Sequence, residues 1–146
     1  MPMTTQEMRA LVGRLEDAMN RRALDELDDL VAADFVRYSE ATPDVHVRSR
    51  EDFKAFLIED AKAFPDNVQT FTHVVAEGDY IGVFATYEGT HLGSLGPVPP
   101  TGKRAKFDFA GVLTVKDGKL SEFRVTWDNM AVLAQLGLLP GAEAGS

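Results

Sequence analysis

Few side chains in this sequence have a type and position suited to moving a proton or holding a ligand oxygen. His91 ends a strand-like run beside a Gly/Pro-rich stretch, where an imidazole could donate or accept a proton near neutral pH. Its competing role is that of a polar strand-end residue bonded to backbone. Asp128 stands just before a short apolar helical stripe, so its carboxylate could face a cavity mouth, cap the helix, or do both. Tyr38 and Tyr87 could offer hydroxyls to a ligand oxygen, or serve as core rings with the hydroxyl at an edge. His46 and His73 stand alone, without metal-ligand spacing. There is no His-Glu-x-x-His run, nucleophile elbow or phosphate-binding glycine loop. Gly93-x-x-Gly96 belongs to a Pro-rich loop with no helix behind it, and the lack of cysteine excludes thiolate chemistry. Acid–base or purely binding chemistry remains, with no metal or cofactor expected.

The element that would position such groups is a hairpin from Ala105 to Asp128, turned at Asp117-Gly118. In the first arm Phe107, Phe109, Gly111, Leu113 and Val115 alternate with Lys106, Asp108 and Thr114; in the second Phe123, Val125 and Trp127 alternate with Glu122, Arg124 and Thr126. Period-two alternation joined by Asp-Gly predicts an antiparallel pair with one apolar face. Gly111 among the rings is expected to leave room, favouring a pocket wall over a filled core. Asp108 has the opposite parity and should leave the pocket, joining cross-strand charge pairs with Lys106, Glu122 and Arg124.

Upstream, Met8, Leu11, Val12, Leu15, Ala18 and Met19 form one stripe of a helix from Thr5 to Arg22. A second helix is expected over Leu24 to Val31, a strand over Asp34 to Tyr38, a turn at Thr42-Pro43-Asp44 and a short strand near Val45 to Val47. A third helix starts at Ser49, with Asp52 in a capping-box arrangement, and carries Phe53, Phe56, Leu57 and Phe64 inward until Pro65 stops it. Strands over Gln69 to Glu77 and Tyr80 to Thr90 follow, joined by Gly78-Asp79, and the loop Leu92 to Lys103 is suited to form a rim. The last helix, Asp128 to Leu136, ends at Gly137. Helices on one side of an antiparallel meander make this α+β, one domain over residues 1–139 with a loose tail over 140–146.

At 146 residues, 45% hydrophobic and 26% charged, the composition is that of an ordinary globular domain. The net charge of −8, without a Lys/Arg cluster, argues against nucleic acid or an anionic membrane as partner. The N-terminus lacks the apolar core of a signal peptide and no apolar run could span a bilayer, so a cytoplasmic location is the default expectation.

The element order, together with Gly89-Thr90-His91-Leu92-Gly93, Pro99-Pro100-Thr101, Asp117-Gly118-Lys119 and Gln135-Leu136-Gly137, resembles the SnoaL-like polyketide cyclase family of the NTF2-like superfamily. The resemblance implies a cone-shaped barrel: a curved antiparallel sheet and three N-terminal helices enclosing a pocket. It also implies a homodimer paired through the outer sheet face. The family's cyclases close a ring by a cofactor-free aldol reaction, with a pocket Asp as acid/base and a His nearby. Those positions fall at Val125 and Gly111 here, and neither side chain can move a proton. The expected function is therefore a pocket that binds a small apolar, polyketide-like or other carbonyl molecule. Tyr38, Tyr87, Phe107, Phe109, Gly111, Leu113, Phe123, Val125 and Trp127 would line it. If catalytic, it would act as a cyclase- or isomerase-type lyase through a displaced acid/base, His91 or Asp128. The alternatives are a non-catalytic ligand-binding or accessory protein and a dimerisation module.

Overall fold

In the computed structural model, which describes residues 2–139, α1 spans Thr5–Arg21. Thr4 and Glu7 close a capping box at its start, and the predicted stripe Met8, Leu11, Val12, Leu15, Ala18 and Met19 is its buried face. Arg22 sits outside the helix in the left-handed region, φ 61°, and its guanidinium donates to the carbonyls of Pro65 (3.0 Å) and Asn67 (2.9 Å). This clamp ties the end of α1 to the chain that leaves the third helix.

The second helix is shorter than expected. A 3₁₀ turn at Leu24–Glu26 leads into α2, Leu27–Leu30, and Val31 already opens strand β1, Val31–Tyr38. Val31 pairs with Leu120 and is fully buried, and that tertiary pairing outweighs the local helical pattern. The strand expected at Val45 to Val47 shrinks to a single bridge between Val47 and Arg37. In α3, Arg50–Ala63, the Ser49 hydroxyl caps Asp52 N at 3.0 Å, but the Asp52 carboxylate accepts from Arg48 N at 3.1 Å, so the capping box is not closed on Ser49. Pro65 disfavours helical backbone at Phe64, which leaves the helix at φ −129°, ψ 76°.

Strands β2 (Val68–Glu77), β3 (Tyr80–Thr90), β4 (Arg104–Lys116) and β5 (Lys119–Trp127) form the expected meander, and β1 adds in parallel to β5. The order is β1-β5-β4-β3-β2, an open curved sheet rather than a closed cone. Both residues of the Asp117-Gly118 turn have positive φ (53° and 78°), the twist that suits a two-residue hairpin. Register shifts leave Thr72 and Ser121 unpaired as bulges. The second bulge lets even-numbered Leu120 share the buried face with odd-numbered Phe123 and Val125, and both help bend the sheet over α1 and α3.

Asp128 caps α4, Asn129–Gln135, accepting from Ala131 N at 3.1 Å. Gly137 (φ 73°) ends it in a Schellman arrangement, with Leu138 N donating to Leu133 O at 2.8 Å. The expected tail, 140–146, lies outside the described residues. Among the described residues no helix is long and apolar enough to cross a membrane.

Candidate active site

Between the concave sheet face and helices α1, α3 and α4 lies a cavity of about 240 Å³. Its wall is overwhelmingly apolar. Leu15 and Met19 come from α1, Phe53, Phe56 and Leu57 from α3, Val132 from α4, and Phe71, Phe109, Leu113, Leu120 and Val125 from the sheet. Leu95 reaches in from the Gly/Pro-rich loop. That loop is held against α3 by Leu92 N and Gly93 N, both donating to Ala63 O. Only glycine fits at residue 93, because a Cβ there would collide with the Lys62 carbonyl.

Two charged side chains interrupt this wall, and sequence inspection passed over both. Asp60 lies on the inner stripe of α3, three residues after Leu57 and four after Phe56. The Tyr87 hydroxyl donates to Asp60 Oδ2 at 2.9 Å. Burial pushes the Asp60 carboxyl up to about 6, against the lowering effects of the Tyr87 bond and of Arg37. Asp60 also faces a second cleft of about 230 Å³, lined by Arg22, Ile58, Lys62 and Asn67, which leaves it partly accessible from outside. Tyr87 is buried edge-on to Phe64 and stacked on Phe107 at 5.1 Å, and desolvation plus the neighbouring carboxylate raise its pKa strongly. Its proton therefore stays on the phenol at any physiological pH.

Arg37, from β1, is the second charge. It shares the inward parity of Phe35 and is only 9% exposed. Its guanidinium carbon lies 4.3 Å from the Phe56 ring centroid and 5.5 Å from that of Trp127. Among the described residues no carboxylate lies within ion-pairing distance of it and no group accepts a hydrogen bond from its side chain. Burial pushes it down to about 10, so it remains a cation at neutral pH.

Of the residues named from sequence, Tyr87, Phe107, Phe109, Leu113, Phe123, Val125 and Trp127 line the cavity together. Tyr38 does not. One residue beyond Arg37 in a pleated strand, it faces outward, 46% exposed, beneath the Arg124 guanidinium. Gly111 leaves no spare room. A Cβ there would meet the Arg124 carbonyl and, at 2.7 Å, the Phe123 ring, so glycine permits close strand packing rather than a void.

His91 is completely buried but is not part of the cavity wall; it stacks on Phe64, whose ring is. His91 Nδ1 accepts from Thr101 N at 3.2 Å and faces the Thr101 hydroxyl at 3.0 Å, closing the base of the 92–103 loop. Nε2 has no partner. Asp128 lies outside the wall as well, its carboxylate engaged as the α4 cap, while its neighbour Asn129 lines the cavity. Asp108 is on the outer face as expected, but its partner is the Thr86 hydroxyl (3.0 Å), and Lys106 pairs with Glu88 instead. His46 and His73 join no metal-binding cluster among the described residues.

The relatives agree with this architecture. AclR, a proposed hydroxylase from Streptomyces galilaeus, is 31% identical over 94% of this chain and 100% of its own, with a TM-score of 0.79. IdmH, a proposed polyketide cyclase from Streptomyces antibioticus, is 29% identical over 88% of this chain and 97% of its own, with a TM-score of 0.77. A SnoaL-like protein from Jannaschia sp. CCS1 is 25% identical over 96% of this chain and 97% of its own, with a TM-score of 0.82. No curated protein matches the chain. The model of the SnoaL-like polyketide cyclases matches residues 9–136, nearly the whole sequence. This chain belongs to the SnoaL-like polyketide cyclase family.

Proposed function

We propose that this protein takes a small, largely apolar carbonyl compound of polyketide type into the cavity and moves a proton on it through Asp60, without a cofactor. The observation that carries the reading is a carboxyl poised near 6 in an otherwise apolar wall, with Tyr87 bonded to one of its oxygens. A group that titrates close to working pH can both remove and return a proton. The bond from Tyr87 fixes the carboxyl plane and leaves Oδ1 for the substrate. Val125 and Gly111 cannot do this chemistry, and His91 and Asp128 are turned to structural tasks outside the wall. The acid/base therefore sits on α3 instead of the sheet.

Size narrows the substrate. A cavity of roughly 150 Å³ holds one benzene ring, so about 240 Å³ suits two fused rings, with any further ring at the mouth. A direct test follows 2-tetralone and related bicyclic ketones in D₂O by NMR. Wild type should accelerate exchange of the protons α to the carbonyl, and Asp60→Asn should return the rate to background. No acceleration with any of these ketones would remove the acid/base role. Saturable binding without exchange would establish the second reading, a non-catalytic accessory protein, which the loss of proton-carrying groups at Val125 and Gly111 favours. The reading includes a homodimer paired through the outer sheet face, where Val36, Tyr38, Phe84 and Val112 are exposed. Analytical ultracentrifugation giving a monomer at micromolar concentration would remove that part.

A further inference from the structure

We infer that the molecule bound in this cavity carries an ionised oxygen, a carboxylate or the enolate of an acidic dicarbonyl, and that Arg37 is the group that recognises it. The inference rests on the proposed cavity site and names the class of ligand it takes.

Arg37 is a buried cation that, among the described residues, has no ion-pair partner in contact with it, although the Asp60 carboxylate acts on it at longer range. Its guanidinium lies over the Phe56 and Trp127 rings, and among the described residues its N–H donors have no hydrogen-bond partner. Burying a charge without a counter-charge in contact is costly, and a bound anion would remove that cost. Asp60 does not complete it by contact: no ion pair joins the two among the described residues, and one Asp60 oxygen already accepts from Tyr87. A second group without a partner lies in the same wall: Thr42, in the segment after β1, has a buried Oγ1 with no hydrogen-bond partner among the described residues. A guanidinium edge and a free hydroxyl are the donors that a planar, two-oxygen anion would use. The net charge of −8 opposes anions only at long range, where salt screens it, whereas the buried cation acts at contact in low dielectric.

Isothermal titration calorimetry with matched pairs tests this. One pair is 2-naphthoate and neutral 2-naphthamide; the other is 1,3-indandione, above the pH at which it ionises, and neutral 1-indanone. The anion of at least one pair should bind at least about tenfold more tightly than its neutral partner, and the pair that shows this identifies carboxylate or enolate as the natural class. Arg37→Met should erase the preference while keeping affinity for the neutral member, and Arg37→Lys should keep part of it. Equal affinity within both pairs overturns the inference, as does a preference that survives Arg37→Met. Should Arg37→Met fail to fold by circular dichroism, the wild-type pairs and Arg37→Lys decide. Neutral compounds binding without an anion preference would sink this inference alone; anion preference without α-proton exchange would sink only the proton transfer through Asp60.

Discussion

Asp60 is tuned by opposing effects of unequal size. Desolvation by the surrounding rings outweighs the stabilisation of the carboxylate by Tyr87 and Arg37, and the balance lies near 6. If Asp60 is the base, kcat/KM on an exchanging ketone should rise as pH passes through about 6, and Asp60→Asn should abolish that limb. Tyr87→Phe removes the hydrogen bond that favours the charged form, so the limb should move upward while the fold is retained. A pH–rate profile of the two variants checks both. Asp60 was also legible as a position. It continues the stripe Phe53, Phe56, Leu57 at helical spacing, and an acid in the middle of an apolar stripe is the signal that sequence inspection passed over. Arg37 shares the parity of Phe35, but Val36 and Tyr38 make the opposite parity equally apolar in sequence, so only the packed strand decides which face turns inward.

The elements that build the wall were readable because their patterns are strictly local. The α1 stripe, both two-residue turns and the α4 cap came out at the expected residues. What went unread depended on partners distant in sequence: Val31 paired with Leu120, the bulge at Ser121, and the strand at Val45 to Val47 reduced to one bridge. Two stability tests belong here. Gly111→Ala should cost about 1–3 kcal/mol by urea denaturation, since the added methyl must displace strand backbone or the Phe123 ring. By the same reasoning Gly111→His should fail to fold stably. Asp128→Ala should cost only about 1 kcal/mol, the usual value of a lost N-cap, and should leave α-proton exchange intact.

For the molecule as a whole, a buried acid is a stability liability with a definite pH window. Asp60 ionises more readily in the unfolded chain, ordinarily near 3.8, than in the folded one, near 6. Below 3.8 both states hold the proton and there is no penalty. Between the two values the unfolded state gives its proton up first, so stability falls as pH rises, by at most ~3 kcal/mol at about 1.4 kcal/mol per unit. The advantage of Asp60→Asn over wild type, measured by denaturation at several pH values, should therefore grow from pH 4 to pH 7. A cavity kept open is likewise unfilled packing: Val125→Phe should retain the fold and abolish uptake of bicyclic ketones. The sequence by itself determined the element order, the apolar hairpin face and the family, because periodicity and turn chemistry act within a few residues. Only the tertiary structure decided which polar groups face the cavity. Desolvation and charge pairing depend on which groups face one another across the cavity, and Arg37, Asp60 and Tyr87 meet there from a strand, a helix and a second strand far apart in the chain.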